Sequence, residues 1–160
     1  MLPDTPHTVN ALSGFNVSYK REILEEAAHV YRDGFYENFV HDELLRLGHE
    51  MFLTPSAAVY HNKNYNFGMA ITDAFHHARA FAARRVLNAQ AAARFVFVLK
   101  SFVLPILLPS RVVAVAYRKG THIKELLRSL PYLILLLSVW SFGEFCGYLF
   151  GAGRSEGKWK

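Results

Sequence analysis

Apolar residues return every three or four positions between Ser18 and Tyr31, with Ile23, Leu24, Ala27, Ala28 and Tyr31 on one stripe. The spacing predicts an amphipathic helix that packs on a sheet, with Ser18 as its N-cap. A turn at "RDGFYEN" follows, and Val40, Leu44 and Leu47 stripe a second helix from Tyr36 to Leu47 that Gly48 is placed to end. "HEMFLTPSAAVYH" reads as a strand, a Thr54-Pro55 turn and a second short strand, because proline cannot continue a ladder. After the polar "NKNYNFG", helical spacing resumes near Gly68 and runs through Ile71, Phe75, Ala78, Phe81, Ala82 and Leu87 to about Ala93. The opposite face of that helix holds His77, Arg84 and Arg85.

Two apolar segments come next. The first, Phe95 to Tyr117, is interrupted by Lys100, Pro105, Pro109 and Arg111, so its uncharged stretch from Ser101 to Ser110 is too short to span a bilayer unaided. The second lies between Arg128 and Arg154 with Glu144 as its only charge. As a helix it would be about 37 Å long against a hydrocarbon core of about 30 Å. An ionised carboxylate at such depth needs a partner, which Lys100 or Arg111 of the neighbouring segment could supply; the alternatives are a protonated Glu144 or a position near the headgroups. Gly143 and Gly147 bracket Glu144 at the spacing that lets another helix approach closely.

Composition agrees with a polar first half and an apolar second half: 52% of the 160 residues are hydrophobic and 14% aromatic. The net charge of +5, with arginine and lysine concentrated from Arg79 onward, suits an anionic membrane surface or phosphate groups. No nucleic-acid motif accompanies it. A single cysteine, Cys146, excludes an internal disulfide and reads as a small buried hydrophobe.

Three stretches stand in order: "GFNVSYKREIL", then "GFYENFVHDELLRLGHEMFLTPSAAVYH", then an arginine-rich helix leading into the apolar segments. Together they resemble the carboxyl-terminal half of the catalytic domain of family 2 glycosyltransferases, and "GEFCGYLFGAG" looks like the membrane helix with which many bacterial members end. The resemblance covers about Leu12 to Gly153 and rests on order and spacing. It implies an α/β chain holding the C-terminal half of a GT-A fold over residues 1–93, followed by a mostly helical membrane-associated part. That part divides into an interfacial or membrane helix with a basic loop over 94–128, a transmembrane helix over 129–153 and a basic tail over 154–160.

The same resemblance implies transfer of a sugar from a nucleotide sugar to a glycan or lipid-linked acceptor, with membrane lipids as further partners. Glu37 stands at the family's catalytic acidic position and would take the acceptor's proton; a carboxylate in a helix's first turn also simply favours the helix dipole. Asn16 and Ser18 stand where members line the sugar or acceptor pocket, and His41 lies one turn from Glu37. His41 also fits an ordinary surface position. Arg84 and Arg85 could contact a diphosphate or lie on the membrane surface, since guanidinium suits either phosphate. His61 is the candidate ligand for manganese or magnesium in the complete enzyme, or a structural histidine that ends a strand.

The family's D-x-D pair is absent from these residues. The expectation is therefore an acceptor half, inactive alone, with a separate chain as one candidate to carry the nucleotide-binding half. Use of a cytosolic donor places the polar part in the cytoplasm, at the bacterial inner membrane. The rival reading is a small non-enzymatic membrane protein or scaffold.

Overall fold

The helical spacing from Ser18 to Tyr31 folds as two short helices, α1 (Arg21–Glu26) and α2 (Ala28–Tyr31). They part at Ala27, whose backbone (φ −91°, ψ 11°) leaves the α region and whose N–H bonds the Leu24 carbonyl at 3.1 Å. Ser18 does not cap α1; Lys20 stands at that place and offers no side-chain bond. The computed structural model describes residues 5–158 other than Asp33, His61, Lys63 and Thr121, and the chain divides into two compact units, Met1–Lys63 and Asn64–Lys160.

In the first unit, α3 (Glu37–Arg46) follows the predicted stripe closely. Its buried Val40 and Leu44 close on Ala27, and Tyr19, Ile23, Leu24 and Tyr31 pack around them. The core is thus helix on helix. The only sheet among the described residues pairs β1 (His7–Val9) with β2 (Met51–Leu53), antiparallel, with Thr8 opposite Phe52.

This overturns the α/β, GT-A-like expectation: helix makes up 63% of the structure and strand 4%. The physical reason lies in "HEMFLTPSAAVYH". Only its first three apolar residues find a strand to pair with, and that partner comes from the N-terminal stretch. The expected second strand has none, so Val59 is 58% exposed and Tyr60 fully so. Among the described residues there is no layer of strands for α1 to cover.

The second unit is all helix: α4 (Phe67–Arg85), α5 (Ala91–Ser101), α6 (Leu104–Lys119) and α7 (Ile123–Phe150). Asn66 caps α4, its side-chain oxygen accepting from the Met69 N–H at 2.8 Å. The chain leaves the helix at Val86 and resumes at Ala91, so the single predicted helix to Ala93 is broken. Between α5 and α6 the axis turns by 62°. Pro105 sits in the first turn of α6, where a missing N–H is harmless.

One helix, α7, is long and apolar enough by itself to cross a membrane; α5 and α6 meet that test only as a bent pair. Against α7 pack α4, α5 and α6. α4 runs parallel to α7, as the paired rings Phe67–Tyr132, His77–Trp140 and Phe75–Phe142 show. The two come together through small residues. A Cβ on Gly143 would lie 2.9 Å from the Ala78 Cβ, and one on Gly147 would lie 2.7 Å from the Ala82 Cβ and overlap the Arg79 carbonyl. Both distances are well inside the ordinary carbon–carbon contact of about 3.5–4.0 Å. Only glycine permits that approach. Ala82, Val86, Val98 and Tyr148 form the core of the unit.

Candidate functional site

Glu37 opens α3, and its carboxylate lies against Gly14, where a Cβ would overlap Oε1 and come within 2.5 Å of Cδ. Glycine at 14 therefore lets the "GFNVSYKRE" loop close over the acid. The loop is a tight turn in which the Asn16 N–H bonds the Ser13 carbonyl at 3.0 Å. The Asn16 amide donates to the Ala57 carbonyl, which ties this loop to "PSAAV". Two of the stretches that carried the family resemblance thus meet within one unit.

Beside Glu37 lies a second pair. The Tyr19 hydroxyl and His41 Nε2 are 2.7 Å apart. Burial, and then the negative charge of Glu37, push the Tyr19 phenol up to about 12, so it stays protonated. Burial also pulls the His41 imidazole below its usual value, against the opposing fields of Glu37 and Asp42. His41 is 1% exposed, and its Nδ1 is buried with no hydrogen-bond partner. Tyr19 is half-buried and so lies nearer the surface than His41. Ser18 is exposed and, with Tyr19, Lys20, His49 and Glu50, lines a cavity of about 420 Å³ whose floor includes Ile23, Leu44 and Met51.

In the second unit, Arg85 is engaged by its own fold. Its Nη1 donates to the Tyr148 hydroxyl at 2.7 Å and lies 3.6 Å from Glu144 Oε2, while its guanidinium covers the Phe81 ring at 4.5 Å. Glu144 accepts from Trp140 Nε1 at 2.8 Å and from the Tyr148 hydroxyl at 2.7 Å. The partners of Glu144 are therefore Arg85 on α4 and two rings of α7. They replace the expected Lys100 or Arg111. Arg84, next to it, is half-buried.

The structure brings Asn16 and Glu37 into one unit with His41, and it puts Arg84 and Arg85 in the other. His61 lies outside the described residues, and no three His, Cys, Asp or Glu side chains among the described ones come together as a metal site would need. Tyr19 was missed in the sequence because its partner is distant in the chain. Trp140 and Tyr148 were missed as well, although each lies one turn from Glu144 and that spacing could have found them.

No protein-family model matches the chain, and no curated protein or solved structure does.

Proposed function

We propose that this chain forms the acceptor side of a membrane-bound glycosyl transfer, in which Glu37 removes the proton from the attacking hydroxyl of a glycan or lipid-linked acceptor. The nucleotide sugar would be held by residues beyond these 160, since the chain has no D-x-D pair. The observation that carries the reading is the closure of Gly14 on Glu37, which joins two stretches picked out for their resemblance to family 2 glycosyltransferases. The reading rests on those residues and their order and makes no use of a sheet.

The chemistry asked of the chain is limited. Glu37, half-buried at the positive end of α3, stays in reach of an acceptor hydroxyl as a general base. Beside it, burial keeps the Tyr19 phenol protonated and makes the His41 imidazole a weaker base than usual. Helix α7 anchors the unit to a bacterial inner membrane, with the first unit on the cytoplasmic side where nucleotide sugars are made. A membrane scaffold without catalysis is the second reading, favoured by the burial of His41 and the engagement of Arg85 within the fold.

The test is to join the chain to the donor-binding half of a family 2 enzyme and assay sugar transfer into a lipid extract. Glu37→Gln keeps the shape and removes the base, so turnover should fall at least about a hundredfold with donor binding unchanged. Near-parent turnover in that variant returns Glu37 to a helix-end role.

A further inference from the structure

Where α5 begins, beside the last turn of α7, Ala89, Ala91, Arg94, Phe95, Val98 and Leu149 enclose an open cavity of about 410 Å³. That volume lies within the range of about 300–1,000 Å³ typical of small-molecule sites. Its wall is apolar except for Arg94. Phe95 is 61% exposed and Leu149 43%, so the rim is greasy as well as open. Arg94 is exposed, and its guanidinium has no hydrogen-bond or ion-pair partner among the described residues. It differs in this from Arg79 and Arg85, which bond the Gly151 carbonyl and the Tyr148 hydroxyl.

Leu149 is next to last in α7, so the cavity sits at one end of the helix that is long and apolar enough to cross a membrane. At that level a bilayer presents phosphates beside the first methylenes of its chains. An apolar slot with one uncommitted guanidinium at its edge matches both: the cation pairs with a phosphate oxygen and the slot takes the chain. We propose that this cavity is a binding site for an acidic phospholipid of the bilayer, its phosphate on Arg94 and one acyl chain against Phe95, Val98 and Leu149. The proposal rests on α7 being a membrane helix and is independent of the glycosyl-transfer chemistry.

The whole chain, purified in mild detergent, is exchanged into mixed phosphatidylglycerol and phosphatidylcholine, and retained lipid is counted by native mass spectrometry. The parent should keep phosphatidylglycerol in preference to phosphatidylcholine, and excess inorganic phosphate should not displace it. Arg94→Ala should lower that retention at least about fivefold, and Ala91→Trp, which fills the slot while leaving the charge, should lower it similarly. Arg111→Ala, on exposed α6, should leave it unchanged. Equal retention by Arg94→Ala and the parent overturns the site, as does an equal loss in Arg111→Ala, which would mean attraction to net charge alone. Flotation with phosphatidylcholine vesicles reads the membrane helix separately. A chain that fails to float overturns the membrane reading and this site with it, whereas one that floats without lipid preference overturns the site alone.

Discussion

Replacing Gly147 by alanine tests the parallel packing of α4 on α7. In an exposed helix interior, glycine to alanine is stabilising by about 0.8–1.0 kcal/mol. At 147 the added methyl overlaps the Arg79 carbonyl and lies 2.7 Å from the Ala82 Cβ, and neither neighbour is a flexible side-chain end. Helix α4 must withdraw by about 1 Å to restore ordinary contact. Overpacking of this kind costs about 1–3 kcal/mol. Withdrawal also stretches the Arg85–Tyr148 bond, now 2.7 Å, for about 1 kcal/mol more. Set against the propensity gain, the net loss is about 1–3 kcal/mol. Thermal unfolding of the purified chain in detergent measures it, and Gly68→Ala is the control. That residue is also in α4, but its nearest neighbour would be the Asn66 side-chain oxygen at 3.4 Å, an ordinary contact, so its variant should melt at or slightly above the parent. If Gly147→Ala melts as high as Gly68→Ala, the two helices are not packed through Gly147.

Two further changes probe the polar groups. Glu144→Leu removes the acceptor of both Trp140 Nε1 and the Tyr148 hydroxyl and leaves Arg85 without its carboxylate, so the second unit should lose about 1–3 kcal/mol. Glu144→Gln keeps an acceptor oxygen and should lose less; equal melting of both with the parent would dismiss the network as a source of stability. In the first unit, the lowered His41 value contributes stability that is complete above the ordinary 6.5 and is lost as pH falls. The raised Tyr19 value contributes stability that is complete below the ordinary 10.0 and is lost as pH rises towards about 12. A pH series of melts should show both limbs in the parent, no acid limb from this site in His41→Phe, and a weaker alkaline limb in Tyr19→Phe; an unchanged acid limb in His41→Phe removes His41 as its source.

What could be read from the sequence depended on how far away each partner was. Helix α3 was legible because Val40 and Leu44 are buried by a stripe that the helix itself defines. The helix long and apolar enough to cross a membrane was legible from its unbroken apolar length, although it begins at Ile123, ahead of Lys124 and Arg128, where charge had marked a later start. The sheet was misread because β2 is three residues long, and a strand that short is fixed by its partner rather than its pattern. Its partner, His7–Val9, has no alternation to notice. The break at Ala27 left no trace because Ala28 and Tyr31 keep the helical spacing across it.

The same holds for the side chains. Glu37 stood out through motif order, and the structure adds that Gly14 covers it. Tyr19 and His41 are an unremarkable tyrosine and histidine until the core of the first unit brings them together. The counter-charge for Glu144 was sought in the next apolar segment, as a hairpin would supply it. It comes instead from α4, because helices that run parallel must be joined by a return path, here α5 and α6.

That parallel arrangement sets an order of events during synthesis. Helix α4 is made first, and its alanine stripe has to wait until the bent return and nearly all of α7 have left the ribosome before Gly143 and Gly147 can meet it. Most of a helix's stability in a protein comes from packing its apolar face, and α4 has to wait for that packing. The second unit therefore closes late, on contacts between segments far apart in the chain, which slows folding and prolongs the exposure of apolar surface. Until then, α4 is a stretch that a chaperone or protease can still engage.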